Sequence, residues 1–213
     1  MVENAPLILA IESGIGSGSI ALVRGNTLIE DRREGISRAE DILAAIDEMA
    51  SRSGVALKQI GSIAVSLGPG SFTGIRIGIS TALGLGRSLN VKYTGIPVLY
   101  ALAASISAGT VVGAVAVGRQ RFAIQKFRVN ENIAVCANEL SSLSHEELIQ
   151  TIRNDPEIKY ALGGQLDDEI PCRIAEEQLR NVQIVEQSLA AVIGFQAALP
   201  HSAFPFEPIY LQK

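Results

Sequence analysis

The first third of the chain alternates between short apolar runs and turn residues. Residues Leu7 to Ile11 form a continuous apolar run, and the glycine and serine turn at 14–18 separates it from the apolar segment 19–23. The pair Gly25-Asn26 then connects that segment to residues 27–31. This order predicts a strand followed by an antiparallel strand pair.

From Ala39 the apolar positions change to a helical spacing, with acidic residues between them, which predicts an amphipathic helix that ends near Gly54. The apolar positions of this pattern are Ile42, Leu43, Ile46, Met49 and Ala50. Residues 60–67 again predict a strand, and residues 73–89 predict a second helix. A short helix of small residues is expected at 99–107, after apolar pieces that begin at Val91.

The second half of the chain repeats this order more weakly. Strands are expected at 110–117, 121–129, 132–138, 158–162 and 182–185. Ser144 and Glu147 have the spacing of a capping box and predict the start of a helix, and the apolar segment 188–199 predicts the last one. The sequence therefore predicts two α/β lobes, one after the other, at residues 1–104 and 105–213.

Glycine is concentrated in the segment SLGPGSFTGIRIGISTALGLG, residues 66–86. A phosphate loop, a pair of membrane helices and a close-packed interface could each require this composition. A Walker loop needs a lysine after its last glycine, but Ile75 and Arg76 follow Gly74, and Thr73 stands where a dinucleotide fingerprint needs its third glycine. Arg76 and Arg87 also keep the apolar run below the roughly 18 residues of a membrane span.

The helix predicted from this segment carries a strip that is almost without side chains. Gly74, Gly78, Ala82 and Gly86 follow one another at intervals of four residues and share one helix face, with Ile75 and Ile79 beside them. Each glycine in a helix interior costs about 1 kcal/mol relative to alanine, so close packing must offset this loss. The strip packs either inside its own domain or against another subunit, together with the helix that begins at Ala39.

The residues before this helix predict a sharp turn from strand to helix. Pro69 fixes its own φ and favours an extended Gly68, while Gly70 is free to adopt a positive φ. Ser71 or Thr73 can cap the helix that follows. The free amides at such a helix start could also accept an anion.

Composition narrows the classes of function. A hydrophobic content of 47% with 19% charged residues is ample for buried cores. The net charge of -4 has the wrong sign for a chain that holds nucleic acid alone, so contact with RNA is expected only through another subunit.

Cys136 and Cys172 lack the spacing of a zinc or disulfide framework. The N-terminus lacks the basic residues of a signal peptide, so we expect a cytoplasmic location and no membrane contact.

The core GPGSFTGIRIG, the strand GSIAV before it and LAIES near the N-terminus resemble the TsaB family, also called YeaZ. The resemblance spans about residues 6–104, and its glycine-rich core is highly specific. It implies the actin-like (ribonuclease H-like) ATPase fold, with two α/β lobes and mixed sheets. The second lobe is assigned mainly by position, because Val117 and Gly118 stand where the family usually has an acidic residue and an alanine.

The resemblance implies a noncatalytic scaffold or activator in the synthesis of threonylcarbamoyladenosine, beside the anticodon of tRNAs that read codons beginning with A. The implied partners are the related subunit TsaD and, through the complex, the ATPase TsaE, with ATP and a divalent metal on those subunits and no tightly bound cofactor or metal here. A homodimer of the isolated chain is also implied, through segments Arg38–Ser53 and Thr73–Leu89. The expected interface residues are Ile42, Leu43, Ile46, Met49, Gly74, Ile75, Gly78, Ile79, Ala82 and Gly86.

Two enzymatic functions are alternatives to this scaffold function. A nucleotide-hydrolysing or phosphotransfer enzyme on the same fold would use an acidic residue on the first strand, and Glu12, Ser13 and Gly14 offer a partial, vestigial version of that site. A metallopeptidase would need a histidine pair at metal spacing, whereas His145 and His201 lie far apart. We expect His145 on the solvated start of its helix, so peptidase activity is disfavoured.

Overall fold

The computed structural model describes residues 5–36, 39–106, 108–118, 120–131, 133–199 and 204–211. Arg38 and His201 of the expectations above lie outside these residues. In chain order the strands and helices are β1 (Leu7–Glu12), β2 (Ser19–Arg24), β3 (Thr27–Arg32), α1 (Ala39–Arg52), β4 (Ile60–Ser66), α2 (Phe72–Leu89), β5 (Lys92–Ile96), α3 (Val98–Ala104), β6 (Gly109–Ala116), β7 (Arg121–Asn130), β8 (Ile133–Cys136), β9 (Ser141–Ser144), α4 (His145–Asn154), β10 (Lys159–Gly163), α5 (Glu169–Glu176), β11 (Val182–Ile184) and α6 (Leu189–Ala197).

The first sheet has the strand order β3-β2-β1-β4-β5. Strands β1, β2 and β3 are antiparallel neighbours, while β4 pairs parallel to β1 and β5 parallel to β4. This confirms the antiparallel strand pair after β1. A mixed sheet follows, because a tight turn can join only antiparallel strands, whereas α1 and α2 each connect strands that run in the same direction.

Helices α1 and α2 form the core of the first unit with one face of this sheet. Ile42, Ile46 and Met49 of α1 are buried against Leu9 and Ile11 of β1. Both helices begin and end within two residues of the bounds that the sequence predicts. No helix among the described residues is both long enough and apolar enough to cross a bilayer.

Helix α6 returns from the end of the chain to the first sheet. A Cβ placed on Gly194 would lie 2.7 Å from Val23 and 3.2 Å from Ala10, so only a glycine allows this approach. Ala10 alternates with Leu9 and Ile11 along β1, so α6 covers the sheet face opposite to α1 and α2. Strands covered on both faces are continuously apolar, which explains the pattern of β1.

The chain therefore divides differently from two consecutive lobes that meet at residue 104. Of the described residues, those within 1–98 and 187–210 form one compact unit, and those within 99–186 together with Leu211 form the other. Helix α6 joins the first unit because it is apolar on every side apart from Gln196 and must be buried. A hydrogen bond from Ala190 N to Ser19 Oγ (3.1 Å) fixes its first turn.

The second unit is built on a sheet with the order β11-β10-β6-β7-β8, and β9 pairs with the free part of β7. Helix α4 packs Leu148, Ile149 and Ile152 into a core with Tyr160 and Leu162 of β10. The strand and helix bounds predicted for this half are confirmed within a few residues, apart from two elements that were not expected.

Strand β9 and helix α5 are those two elements. Strand β9 has the sequence SSLS, which shows no apolar pattern, and it forms because β7 extends beyond β8 and offers it a partner. Helix α5 contains Pro171, which usually indicates the end of a helix. Here the proline is the third helical residue, where its missing N–H has no partner within the helix.

The capping box of α4 makes the first testable prediction. Ser144 Oγ accepts from Glu147 N (3.2 Å), and Glu147 Oε2 accepts from Ser144 N (2.7 Å). We expect Ser144→Ala to lower the free energy of unfolding of the second unit by about 1 kcal/mol, measured by urea titration. Ser141→Ala, in the same strand but without a capping role, should change it much less. Equal effects of the two variants would contradict the role of the cap.

Candidate functional site

Two turns that the sequence marks separately form one junction in the structure. Glu12 ends β1 and is followed by Ser13 and Gly14 in a turn, and the turn after β4 leads through Gly70 and Ser71 into α2. Ser71 N donates to Gly14 O (2.7 Å), and Ser13 Oγ donates to Gly74 O (2.8 Å). The two turns therefore bind each other directly, and this closes the space between them.

Glycine is required in this junction because the two backbones approach so closely. A Cβ on Gly70 would lie 2.5 Å from Gly14 O, and one on Gly74 would lie 2.0 Å from Ser13 O. One turn further along α2, a Cβ on Gly78 would lie 2.5 Å from Ser13 Oγ. The bare strip of α2 thus packs on the end of β1, inside its own unit.

This packing agrees with one of the two alternatives for the strip, contact inside its own unit. Eight of the expected interface residues are buried within the first unit: Ile42, Ile46, Met49, Gly74, Ile75, Gly78, Ala82 and Gly86. Their side chains or Cα atoms fill the space between the helices and the sheet. Leu43 is 47% exposed and Ile79 is half-buried, so these two are the most exposed residues of the set.

The conformation of the turn also differs from the expectation. Gly68 has φ +98 rather than an extended backbone, Gly70 has no positive φ, and the Gly68–Pro69 peptide bond is cis. Position 68 requires glycine because Ile209 comes close to it. A Cβ on Gly68 would lie 2.5 Å from Ile209 O. Ser71 caps α2 through Gly74 N (3.3 Å), as predicted, and Thr73 lies within the first helical turn.

Glu12 is buried at the centre of the junction, where its side chain closes its own turn. Glu12 Oε1 accepts a hydrogen bond from Gly14 N (2.7 Å), and Glu12 is only 1% exposed. Desolvation raises the pKa of Glu12 from 4.5 to about 8, and backbone hydrogen bonds from Gly14 and Ile15 lower it less. The carboxyl group is therefore mostly neutral at pH 7, unlike an exposed carboxylate that holds a cation beside a phosphate.

The outer face of α2 remains open. A groove of about 380 Å³ runs along the helix and is lined by Phe72, Thr73, Arg76, Ile77, Ser80 and Thr81. Phe72 is 54% exposed, and the guanidinium carbon of Arg76 lies 3.9 Å from the centre of its ring. The helical spacing in the sequence did not identify Phe72 as an exposed residue.

His145 differs from its expected position on a solvated helix start. It is 8% exposed, its ring centre lies 5.3 Å from that of Phe122, and its Nε2 lies 3.6 Å from Asp167 Oδ2. Phe122 and the carboxylates after β10 cover it, which the local sequence does not indicate. Among the described residues, no group of three histidine, cysteine, aspartate or glutamate side chains could hold a metal ion.

Comparison with known proteins identifies the family. The family model described as "TsaD: tRNA N6-adenosine threonylcarbamoyltransferase" matches residues 36–166. The tRNA threonylcarbamoyladenosine biosynthesis protein TsaB of Haemophilus influenzae is 34% identical over 97 residues, which are 45% of this chain and 41% of the relative. TsaB of Escherichia coli is 35% identical over 100 residues, 45% of this chain and 42% of the relative. The chain belongs to the family that this TsaD model describes, and it is similar to TsaB proteins over less than half of their length.

Solved structures confirm the actin-like α/β fold of this family member. YeaZ from Pseudomonas aeruginosa is 25% identical with a TM-score of 0.54, over 66% of this chain and 68% of that one. A protein described as similar to peptidase YeaZ from Pseudomonas aeruginosa is 18% identical with a TM-score of 0.64, over 97% and 100%. The curated sequence matches are shorter, since each spans less than half of the relative's length.

Proposed function

We propose that this chain is a TsaB-like noncatalytic scaffold that activates a TsaD-like subunit in the synthesis of threonylcarbamoyladenosine in tRNA. The observation that carries the proposal is the closed junction at Glu12, together with the relatives named for this biosynthesis. A phosphate-transfer site would need an open turn and an accessible carboxylate after β1. Here α2 occupies that space, and Glu12 hydrogen-bonds within its own turn.

The partner surface in this proposal is the exposed side of α1 and α2, which we call the α1–α2 face. It carries Leu43 on α1 and Phe72, Arg76 and Ser80 on α2. Leu43 and Phe72 are among the few large apolar side chains that the described residues expose. Exposed aromatic and arginine side chains are typical of residues that dominate binding energy at protein interfaces.

The other members of the assembly follow from the same proposal. A TsaE-like ATPase joins through the complex, and ATP and the divalent metal bind to the partner subunits. The net charge of -4 favours indirect contact between this chain and tRNA. In the absence of partners, we propose that two copies pair through the same α1–α2 face, and that the assembly works in the cytoplasm.

Binding to the TsaD-like subunit tests the partner surface. The buried strip cannot be used, because a bulky residue at Gly78 would clash with Ser13 Oγ and disturb the fold. We expect Leu43→Glu to weaken binding by at least about tenfold in isothermal titration calorimetry, since a carboxylate would replace an apolar contact. Val135→Glu is the matched control, because Val135 is also exposed, at 63%, but lies in the second unit.

The outcomes separate the proposal from its alternative. Binding that is unchanged by Leu43→Glu would contradict the α1–α2 face as the partner surface. Nucleotide turnover by the isolated chain that disappears with Glu12→Ala would favour the nucleotide-hydrolysing or phosphotransfer enzyme instead. We expect no turnover above background.

A further inference from the structure

Three side chains stack together on the first turns of α2, and we call them the Arg76 cluster: Phe72, Arg76 and Tyr210. The rings of Phe72 and Tyr210 have centres 5.0 Å apart and planes 35° apart. The guanidinium carbon of Arg76 lies 3.9 Å from the centre of the Phe72 ring, and Arg76 Nε donates to Tyr210 Oη (3.3 Å). The guanidinium group is thus oriented by a ring on one side and a hydroxyl at one edge.

Tyr210 reaches this position because the segment 204–211 is fixed at two other points. Ile209 N donates to Leu67 O (2.7 Å), and the ring centre of Phe206 lies 5.0 Å from that of Tyr93 on β5. A side chain that is already ordered loses little conformational entropy when it binds. The segment 204–211 therefore orders the Arg76 side chain before a partner binds.

Arg76 lacks an ion-pair partner within the described residues. The arginines that form ion pairs there are Arg32, Arg33, Arg52, Arg153 and Arg173. The guanidinium group has five N–H donors, and the bond to Tyr210 uses the single one on Nε, which leaves both terminal nitrogens for a ligand. Two parallel N–H groups match the two oxygens of a carboxylate.

We propose that Tyr210 and Phe72 hold Arg76 as a receptor for a carboxylate side chain on the partner protein, and that the adjoining groove along α2 takes an apolar side chain beside it. This inference rests on the proposed function, because it specifies the chemistry of the partner at the α1–α2 face. Among the residues that the structure describes, Arg76 is the one charged residue that lines the groove, and Phe72 and Ile77 give it apolar walls.

Charge favours a protein carboxylate over an RNA phosphate. Binding to nucleic acid is built from several phosphate contacts, and its strength comes from a surface rich in lysine and arginine. The groove supplies a single cation within a chain of net charge -4. One oriented guanidinium beside apolar walls is instead typical of a contact between proteins.

The test compares binding of the TsaD-like subunit by four forms of the full chain in isothermal titration calorimetry. Arg76→Lys keeps the charge but removes the planar fork, and we expect it to weaken binding about tenfold. Tyr210→Phe keeps the ring stack but removes the hydroxyl, and we expect a loss of about threefold. Arg87→Lys, at the other end of α2, is the matched control and should change affinity less than twofold. Thermal unfolding should be the same for all four.

Coupling between the two residues separates positioning from general stability. We expect Tyr210→Phe to have almost no effect when Arg76 is already lysine, because the hydroxyl acts through Arg76. Additive losses, or an affinity for the partner that Arg76→Lys leaves unchanged, would overturn this inference while the proposed function stands. Loss of tRNA binding without loss of protein binding would assign Arg76 to RNA and also overturn it. Failure of the wild-type chain to bind the subunit would instead refute the proposed function.

Discussion

Gly74→Ala is expected to destabilise the first unit by at least about 3 kcal/mol. The added Cβ would lie 2.0 Å from Ser13 O, which is a backbone atom and cannot rotate away. Overpacking of a core by a methylene group commonly costs about 1 to 3 kcal/mol, and here either α2 or the end of β1 must also shift. Alanine's higher helix propensity returns only about 1 kcal/mol of that loss. The measurement is the free energy of unfolding from urea titration monitored by circular dichroism.

Gly84→Ala is the matched control in the same helix. A Cβ on Gly84 would meet nothing within 4 Å, and the residue is exposed. We expect this variant to be more stable than the wild type by about 1 kcal/mol, because alanine restricts the unfolded chain. If Gly74→Ala and Gly84→Ala changed stability in the same direction, the close approach of α2 to β1 would be wrong.

Glu12→Gln is expected to remove a large pH dependence of stability. Burial raises the pKa of Glu12 from 4.5 to about 8, so the folded chain keeps this proton while the unfolded chain loses it. The stabilising contribution is therefore complete below pH 4.5, falls as the pH rises, and is lost above about pH 8. A shift of this size corresponds to about 5 kcal/mol across the whole window. The glutamine variant has no such proton to lose.

Unfolding of both forms should be followed from pH 4.5 to 9. We expect similar stabilities at pH 4.5, because glutamine resembles the neutral carboxyl group, and a growing advantage of Glu12→Gln up to about pH 8. Parallel stability curves for the two forms over this range would show that Glu12 is not buried in the way the junction requires. Glu34→Gln, at an exposed position after β3 in the same unit, is the control.

Local pattern was enough to predict much of this fold. The helical spacing from Ala39, the glycine strip of α2 and the cap at Ser71 all depend on residues close in sequence, and the structure confirms each of them. The strip also led to the correct inference of unusually close packing. Packing inside its own domain was one of the two alternatives that the sequence left open, but the contact with Ser13 was not predicted.

The remaining features depend on contacts between distant residues. Gly68 adopts a positive φ beside Ile209, and α6 returns to cover β1 and β2, so neither follows from nearby residues. Glu12 was considered as part of a vestigial nucleotide site, and only the contact between α2 and the turn after β1 reveals that its carboxyl group is buried. His145 is likewise buried by Phe122 and Asp167, which lie on other elements. The pattern of apolar and polar residues within one element does not show which of its surfaces distant residues will cover.

The central claim is that this chain supports tRNA modification without supplying a catalytic group at Glu12. The most direct test measures threonylcarbamoyladenosine in tRNA by mass spectrometry after incubation with the TsaD-like and TsaE-like subunits, the threonylcarbamoyl donor and either wild-type chain, Glu12→Gln or no chain. We expect equal product with wild type and Glu12→Gln, and little product when the chain is omitted. Product that is lost with Glu12→Gln, while the variant still binds the TsaD-like subunit, would contradict this claim.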